Sequence, residues 1–330
     1  MKSKEYILDN LEEILSMNIE EFNRLYKKQA FEILKKNNKG QVMVSGLLAI
    51  SNVCKNNCTY CGLRRGRKIN RFSLEIDIAK RAIKHIKEMG LKQILFISGE
   101  SNSIKLKDYL NLIEYAKELN LYVNMAGGVF QKEDYKKMKY AGLDQYTLKF
   151  ETSNKNIFNK IKPDISYNER LEAIESIREV GLDLGSGNIV GLEGQTLKDV
   201  VEDIKLMNKL NIKWAPIVPY LPAPNTPMAE NTKMGDIDLT LKAISIVRIL
   251  LEEAYITAGQ PKKGSNLGFA DPEGNTKGLE YGGNIFFVDI TPNAVKNEFN
   301  ITKNRKLPRL EEINKIVNKL DLSLDVEERE

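Results

Sequence analysis

Thiol and imidazole ligands are scarce in this chain, and the thiols lie in one place. Its 330 residues include three cysteines, one histidine and one tryptophan. The histidine, His85, lies on an expected helix and reads as structural rather than catalytic. No run of about 18 apolar residues occurs, so no membrane-spanning helix is expected. The opening Met-Lys-Ser-Lys-Glu-Tyr-Ile has no apolar signal core. A cytoplasmic location is therefore expected, where thiols and clusters survive. The net charge of +5 is spread along the chain, too diffuse for a nucleic-acid partner. Hydrophobic residues at 42% and charged residues at 29% describe a globular protein with a sizeable core.

All three cysteines, Cys54, Cys58 and Cys61, fall within Cys-Lys-Asn-Asn-Cys-Thr-Tyr-Cys. A disulfide framework favours an even count and a small secreted domain. Zinc would need a fourth ligand, and zinc knuckles favour two-residue spacings at both cysteine pairs. Three thiolates from one loop suit three irons of a [4Fe–4S] cube. The fourth iron is then open to a small molecule, an arrangement that signals chemistry rather than a structural site.

Periodicity sets the fold. Positions 4–36 read as two amphipathic helices, with Leu8, Leu11 and Leu15 on one face and Phe22, Tyr26, Ala30 and Ile33 on the next. Gln41 to Ser51 is nearly all apolar, as a strand buried on both faces would be. Helical segments then end repeatedly in Gly or Asn before an apolar strand: Gly90-Leu91, Asn120-Leu121, Gly142-Leu143, Gly181-Leu182 and Asn211-Ile212. Further strands are expected at 93–97, 122–126, 145–150, 183–190, 213–218, 255–258 and 284–289. Eight strands alternating with helices predict an α/β fold, a (β/α)8 TIM-type barrel with additional N-terminal helices. The expected divisions are a helical extension over 1–40, the barrel over 41–290, and a C-terminal helical extension over 291–330 packed on the barrel. The tail from Asp325 is expected to fray.

Sites in such barrels lie at the C-terminal ends of the strands. The cysteine loop, Ser98-Gly99-Glu100, Glu151-Thr152 and Gly185-Ser186-Gly187-Asn188 all fall there. Cys-x3-Cys-x2-Cys with Tyr60 before the last cysteine resembles the signature of the radical S-adenosylmethionine superfamily. Tyr60-Cys61-Gly62-Leu63-Arg64-Arg65, Lys162-Pro163-Asp164, Gly191-Leu192-Glu193-Gly194-Gln195-Thr196 and Pro222-Ala223-Pro224-Asn225-Thr226-Pro227 resemble its biotin-synthase-like branch. Within that branch they are most similar to the group of hydrogenase-cofactor maturases and methylornithine synthases.

The resemblance implies one [4Fe–4S] cluster on Cys54, Cys58 and Cys61. It also implies S-adenosylmethionine, reductively cleaved to a 5′-deoxyadenosyl radical. Ser98, Gly99 and Glu100 would hold the amine of the methionine end, Glu151 the amine or ribose, and Arg170 the carboxylate. Tyr60, Ile189 and Val190 would flank the adenine, while Gly187 lets backbone approach the cofactor. Substrate contacts are expected at Tyr220, Thr257 and Asn284. The implied function is biosynthesis of a hydrogenase metal cofactor, with a methylornithine-forming lysine mutase and a non-catalytic iron–sulfur or zinc scaffold as alternatives. A small-molecule or organometallic substrate is expected inside the barrel. The basic run Arg64, Arg65, Arg67 and Lys68 would dock a flavodoxin or ferredoxin electron donor. With every cysteine in one loop, no thiolate remains for the auxiliary cluster that sulfur insertion draws on.

Overall fold

Strand β1 (Gln41–Ser51) is buried at every position after the first, so its apolar run faces helices on one side and the barrel interior on the other. The structure, a computed structural model, describes residues 2–101, 103–303 and 305–327. Strand β1 runs parallel to β2 (Gln93–Ser98), which pairs with β3 (Tyr122–Ala126), β4 (Gln145–Thr147) and β5 (Asp183–Gly185) in turn. Beyond them, β6 (Ile189–Val190) pairs with β8 (Val218–Pro219), while β7 (Trp214–Ala215) joins β5 to β9 (Tyr255–Ile256). Strand β10 (Ile285–Asp289) lies on the other side of β1, with Met43 opposite Ile285. A parallel bridge between Thr257 and Ile285 closes the ring, with Ala258 N donating to Ile285 O at 2.9 Å. The result is the expected eight-stranded parallel barrel, with helices between successive strands.

Two expected strands are broken. The expected strand over 183–190 is interrupted at Ser186–Asn188, and the one over 213–218 at Pro216. Proline has no N–H to give the ladder. Ser186 turns its hydroxyl to Leu148 O at 2.8 Å, and a Cβ on Gly187 would lie 2.7 Å from Pro216 O. The breaks pack on each other, and the short β6–β8 pair forms a second tier above the barrel at the cysteine end.

The N-terminal region is more broken than the two expected helices. It forms Lys4–Asp9, Leu11–Ser16 and Ile19–Phe22, then a π turn over Asn23–Lys27 that leads into Lys28–Lys36. Asn10 ends the first, and the Asn18 side chain caps the third through Glu21 N, the local bonding that makes such residues helix boundaries. These pieces cover the helix Ile237–Leu250, which is buried from Thr240 to Leu250. The tail does not fray from Asp325. Strand β11 (Ser323–Asp325) pairs parallel with β1, Asp325 meets Lys92 at 2.5 Å, and Glu327 N donates to Gly90 O at 2.8 Å. Residues 328–330 lie outside the described residues. Among the described residues no helix is long and apolar enough to cross a membrane.

Candidate active site

The loop after β1 carries the three cysteines and is held from several sides. Lys55 N donates to Glu100 O at 2.7 Å, Thr59 N to Ile161 O at 2.9 Å, and Gly62 N to Ile301 O at 2.8 Å. Arg71 donates to four carbonyls, those of Asn52, Leu63, Arg64 and Arg67. Gly99 closes the contact with β2, because a Cβ there would lie 2.3 Å from Val53 O and 2.9 Å from Cys54 Cβ. The loop's own cations are partly spent. Arg64 donates to Cys58 O at 3.1 Å and Arg67 to Gly62 O at 3.1 Å. Of the basic run expected to form a docking surface, only Arg65 and Lys68 are exposed.

The three thiols line one cavity of about 390 Å³ at the C-terminal mouth of the barrel. Burial pushes the Cys61 thiol up to about 12, and burial also raises Cys54. A bound metal deprotonates such thiols outright. Among the described residues no three His, Cys, Asp or Glu side chains gather tightly enough to share a single ion. In a cube each cysteine binds its own iron, so the three thiols need not converge on one point.

Acids and cations face the thiols. Glu100 accepts from Asn56 Nδ2 at 3.0 Å and lies 3.5 Å from Lys55 Nζ. A Cβ on Gly128, whose φ is +95°, would lie 2.2 Å from Glu100 Cγ, so glycine leaves room for this carboxylate. Ser98 lines the cavity beside it, its hydroxyl 3.0 Å from Tyr109 Oη. Glu151, just past β4, accepts from the Tyr60 hydroxyl at 2.9 Å and lies 3.4 Å from Lys149 Nζ and 3.7 Å from Lys162 Nζ. Burial pushes the Glu151 carboxyl up, but Lys149, Lys162, Tyr60 and Arg170 outweigh it and hold it below its ordinary value. Lys149 and Lys162 were not singled out from the sequence as site residues. For Lys149 the signal was the alternation in Leu148-Lys149-Phe150-Glu151, which sets two charges at alternate positions of an otherwise apolar stretch.

Arg170, on the helix Tyr167–Glu179, is 3% exposed and lines the cavity. Its Nε has no partner, and its guanidinium stands 6.0 Å from the Phe158 ring centroid. A buried cation without an acceptor suits an anionic ligand group. Ile189, Tyr220 and Thr257 also line the cavity, and Thr257 Oγ1 accepts from Trp214 Nε1 at 3.1 Å.

Three residues expected as contacts are not among those that line the cavity. Asn284 lies just before β10, at the N-terminal end of the barrel, where its side chain accepts from Ile256 N at 2.8 Å. That is a strand-pairing role, away from the cavity. Val190 follows Ile189 in β6, so the two side chains point to opposite faces, and Val190 is buried in the main core. Gly187 packs against Pro216, and its carbonyl accepts from Glu151 N at 3.1 Å, so it positions Glu151 rather than lining the cavity.

A parallel barrel with three thiols in its first loop, two acids and an unpaired arginine around one cavity is the architecture of a radical S-adenosylmethionine enzyme. The chain belongs to that superfamily: the pattern of the Radical SAM superfamily matches residues 48–207. Over 302 residues the chain is 32% identical to the [FeFe] hydrogenase maturase subunit HydE of Thermotoga maritima, covering 91% of this chain and 85% of that one. Biotin synthase of Ehrlichia canis is 29% identical over 300 residues, 87% of this chain and 90% of that one. The crystal structure of methylornithine synthase (PylB) matches with a TM-score of 0.82 over 98% of this chain and 94% of that one. At 18% identity that match speaks for the fold alone. The superfamily implies S-adenosylmethionine and a [4Fe–4S] cluster.

Proposed function

We propose that the chain holds one [4Fe–4S] cluster on Cys54, Cys58 and Cys61, binds S-adenosylmethionine, and takes part in making a hydrogenase metal cofactor. The observation that carries this reading is the similarity to HydE along nearly the whole chain. The site supports it, since three of the charged groups around the cavity, Arg170, Glu100 and Glu151, each have a use. Arg170 receives the carboxylate of the methionine end through its free guanidinium edge. Glu100, fixed by Asn56, accepts from the amine. Glu151 and Tyr60 bracket the ribose and adenine, with Ile189 as the apolar edge. When bound, the cluster and the sulfonium supply a one-electron reductive cleavage of a carbon–sulfur bond, the source of this superfamily's radical chemistry. The apolar interior around Leu47, Leu95 and Trp214 keeps water from the reacting centre.

Similarity to biotin synthase does not carry sulfur insertion with it, because all three cysteines stand in one loop. A flavodoxin or ferredoxin is the proposed electron donor, with Arg65 and Lys68 the cations left exposed for it. Anaerobic reconstitution followed by dithionite tests the core reading: methionine and 5′-deoxyadenosine should form. Co-expression with an apo-hydrogenase and its other maturation factors should restore hydrogen evolution. Formation of methylornithine from added lysine would instead assign the mutase, and no cleavage at all would leave only a scaffold.

A further inference from the structure

Residues on both sides of position 304, after β10, line the cavity: Ile301 and Thr302 before it, Arg305 and Leu307 after it. Ile301 accepts from Gly62 N at one end, and Leu307 packs with Leu47, Leu95, Trp214 and Phe287 at the other. Thr302 and Arg305, between them in sequence, also line the cavity. Arg305 Nη1 donates to Asp289 Oδ2 at 2.8 Å, and these side chains are 7% and 5% exposed. The other Asp289 oxygen accepts from Thr291 N at 3.1 Å, so the carboxylate is occupied on both sides. The guanidinium stands 5.1 Å from the Phe299 ring centroid. Its second prong, Nη2, is buried and has no partner, and neither has the buried Thr302 Oγ1. Buried polar atoms are almost always hydrogen-bonded, and leaving a donor unmade is costly. Two such unmet atoms, on two neighbouring residues that both line one cavity, point to a ligand.

We propose that Arg305 and Thr302 form a subsite for a carboxylate on the substrate, whose apolar body lies against Trp214 and Phe287. The inference rests on the reading of this cavity as the chamber of a radical enzyme. Asp289 fixes one prong of the guanidinium, so the other is presented with little ordering left to do. Asp289 also neutralises the charge, so the subsite selects by paired donors rather than by bulk attraction. The threonine hydroxyl is the second donor. Arg170 serves a different group, because it projects from the helix Tyr167–Glu179 on another part of the wall.

The test uses anaerobically reconstituted full-length protein with excess S-adenosylmethionine and no reductant, so that Arg170 is occupied and no turnover occurs. Calorimetry compares 3-phenylpropanoate and hexanoate with their neutral amides. The acids should bind at least about tenfold more tightly than the amides, the size of one charge-assisted hydrogen bond. Arg305→Lys keeps a cation beside Asp289 and should lose that preference while melting at the parent temperature. Thr302→Val should weaken the acids several-fold and leave the amides unchanged. Equal binding of acid and amide, no binding of either acid, or an acid preference that survives Arg305→Lys would overturn the proposal. Hydrogenase activation in cells is scored separately. Activation without acid binding sinks the subsite alone, and acid binding without activation sinks the maturase reading alone.

Discussion

The Tyr60 hydroxyl donates to Glu151 at 2.9 Å and so ties the cysteine loop to the end of the fourth barrel strand. Glu151 sits at φ +64°, a left-handed conformation uncommon for a residue with a side chain. Its backbone is held by Gly187 O below and its carboxylate by Tyr60, Lys149 and Lys162 above. Backbone strain of this kind collects at functional sites.

Replacing Glu151 with Gln would leave Lys149 and Lys162 without their counter-charge. A loss of about 3 kcal/mol is expected from urea unfolding. Tyr60→Phe should lose less, about 1–2 kcal/mol, and should weaken S-adenosylmethionine binding. Equal stability of Glu151→Gln and the parent would show that the charge cluster contributes nothing.

Glu151 and Asp203 should respond to pH in opposite senses. Glu151 is held below its ordinary value, so its contribution is present above the ordinary carboxylate range and lost as pH falls through the lowered value. Burial pushes Asp203 up to about 6 against the donors Ser153, Asn188 and Thr152. The folded state then binds the Asp203 proton more tightly than the unfolded state does. This group's contribution is full below about pH 4 and declines as pH rises towards 6, by about 3 kcal/mol. Carboxyl-carbon NMR should show a midpoint near 6 that vanishes in Asp203→Asn; a midpoint below 4 would contradict this account.

Gly99→Ala puts a methyl group 2.3 Å from Val53 O, which is backbone and has no room to swing aside. The cysteine loop must shift. Iron content after reconstitution should fall sharply while far-ultraviolet circular dichroism stays that of the parent barrel. Full iron loading in this variant would show the contact to be slack.

Arg170→Gln separates binding from stability. Removing a buried cation that lacks an acceptor should leave the melting temperature unchanged or raise it. S-adenosylmethionine binding, read by calorimetry, should weaken by about tenfold or more. A variant that melts early and binds normally would make Arg170 a structural residue.

Asn284→Ala should do the reverse. Loss of the acceptor for Ile256 N is expected to lower stability by about 1–3 kcal/mol. The KM of whichever substrate is found should not change.

Much of the architecture was legible in the residues. The apolar run of β1 and the Gly or Asn closing each helix report local conditions, burial on both faces and a left-handed turn, that a one-dimensional pattern carries. The breaks at Ser186–Asn188 and Pro216 were not legible, because each exists only against the other. The role of Asn284 was misread because its partner, Ile256, is 28 residues away in the sequence and adjacent only once the barrel closes.

By itself the sequence determined how many thiols there are, how they are spaced, and that strands alternate with helices. Those are properties of neighbours along the chain. Only the tertiary structure decided which charges stand unpaired. Lys149 and Lys162 find Glu151, Asp289 takes one prong of Arg305, and Arg170 is left facing the cavity alone. Burial and pairing depend on which distant segments the barrel brings into contact, and the cost of an unmet charge exists only where water has been excluded.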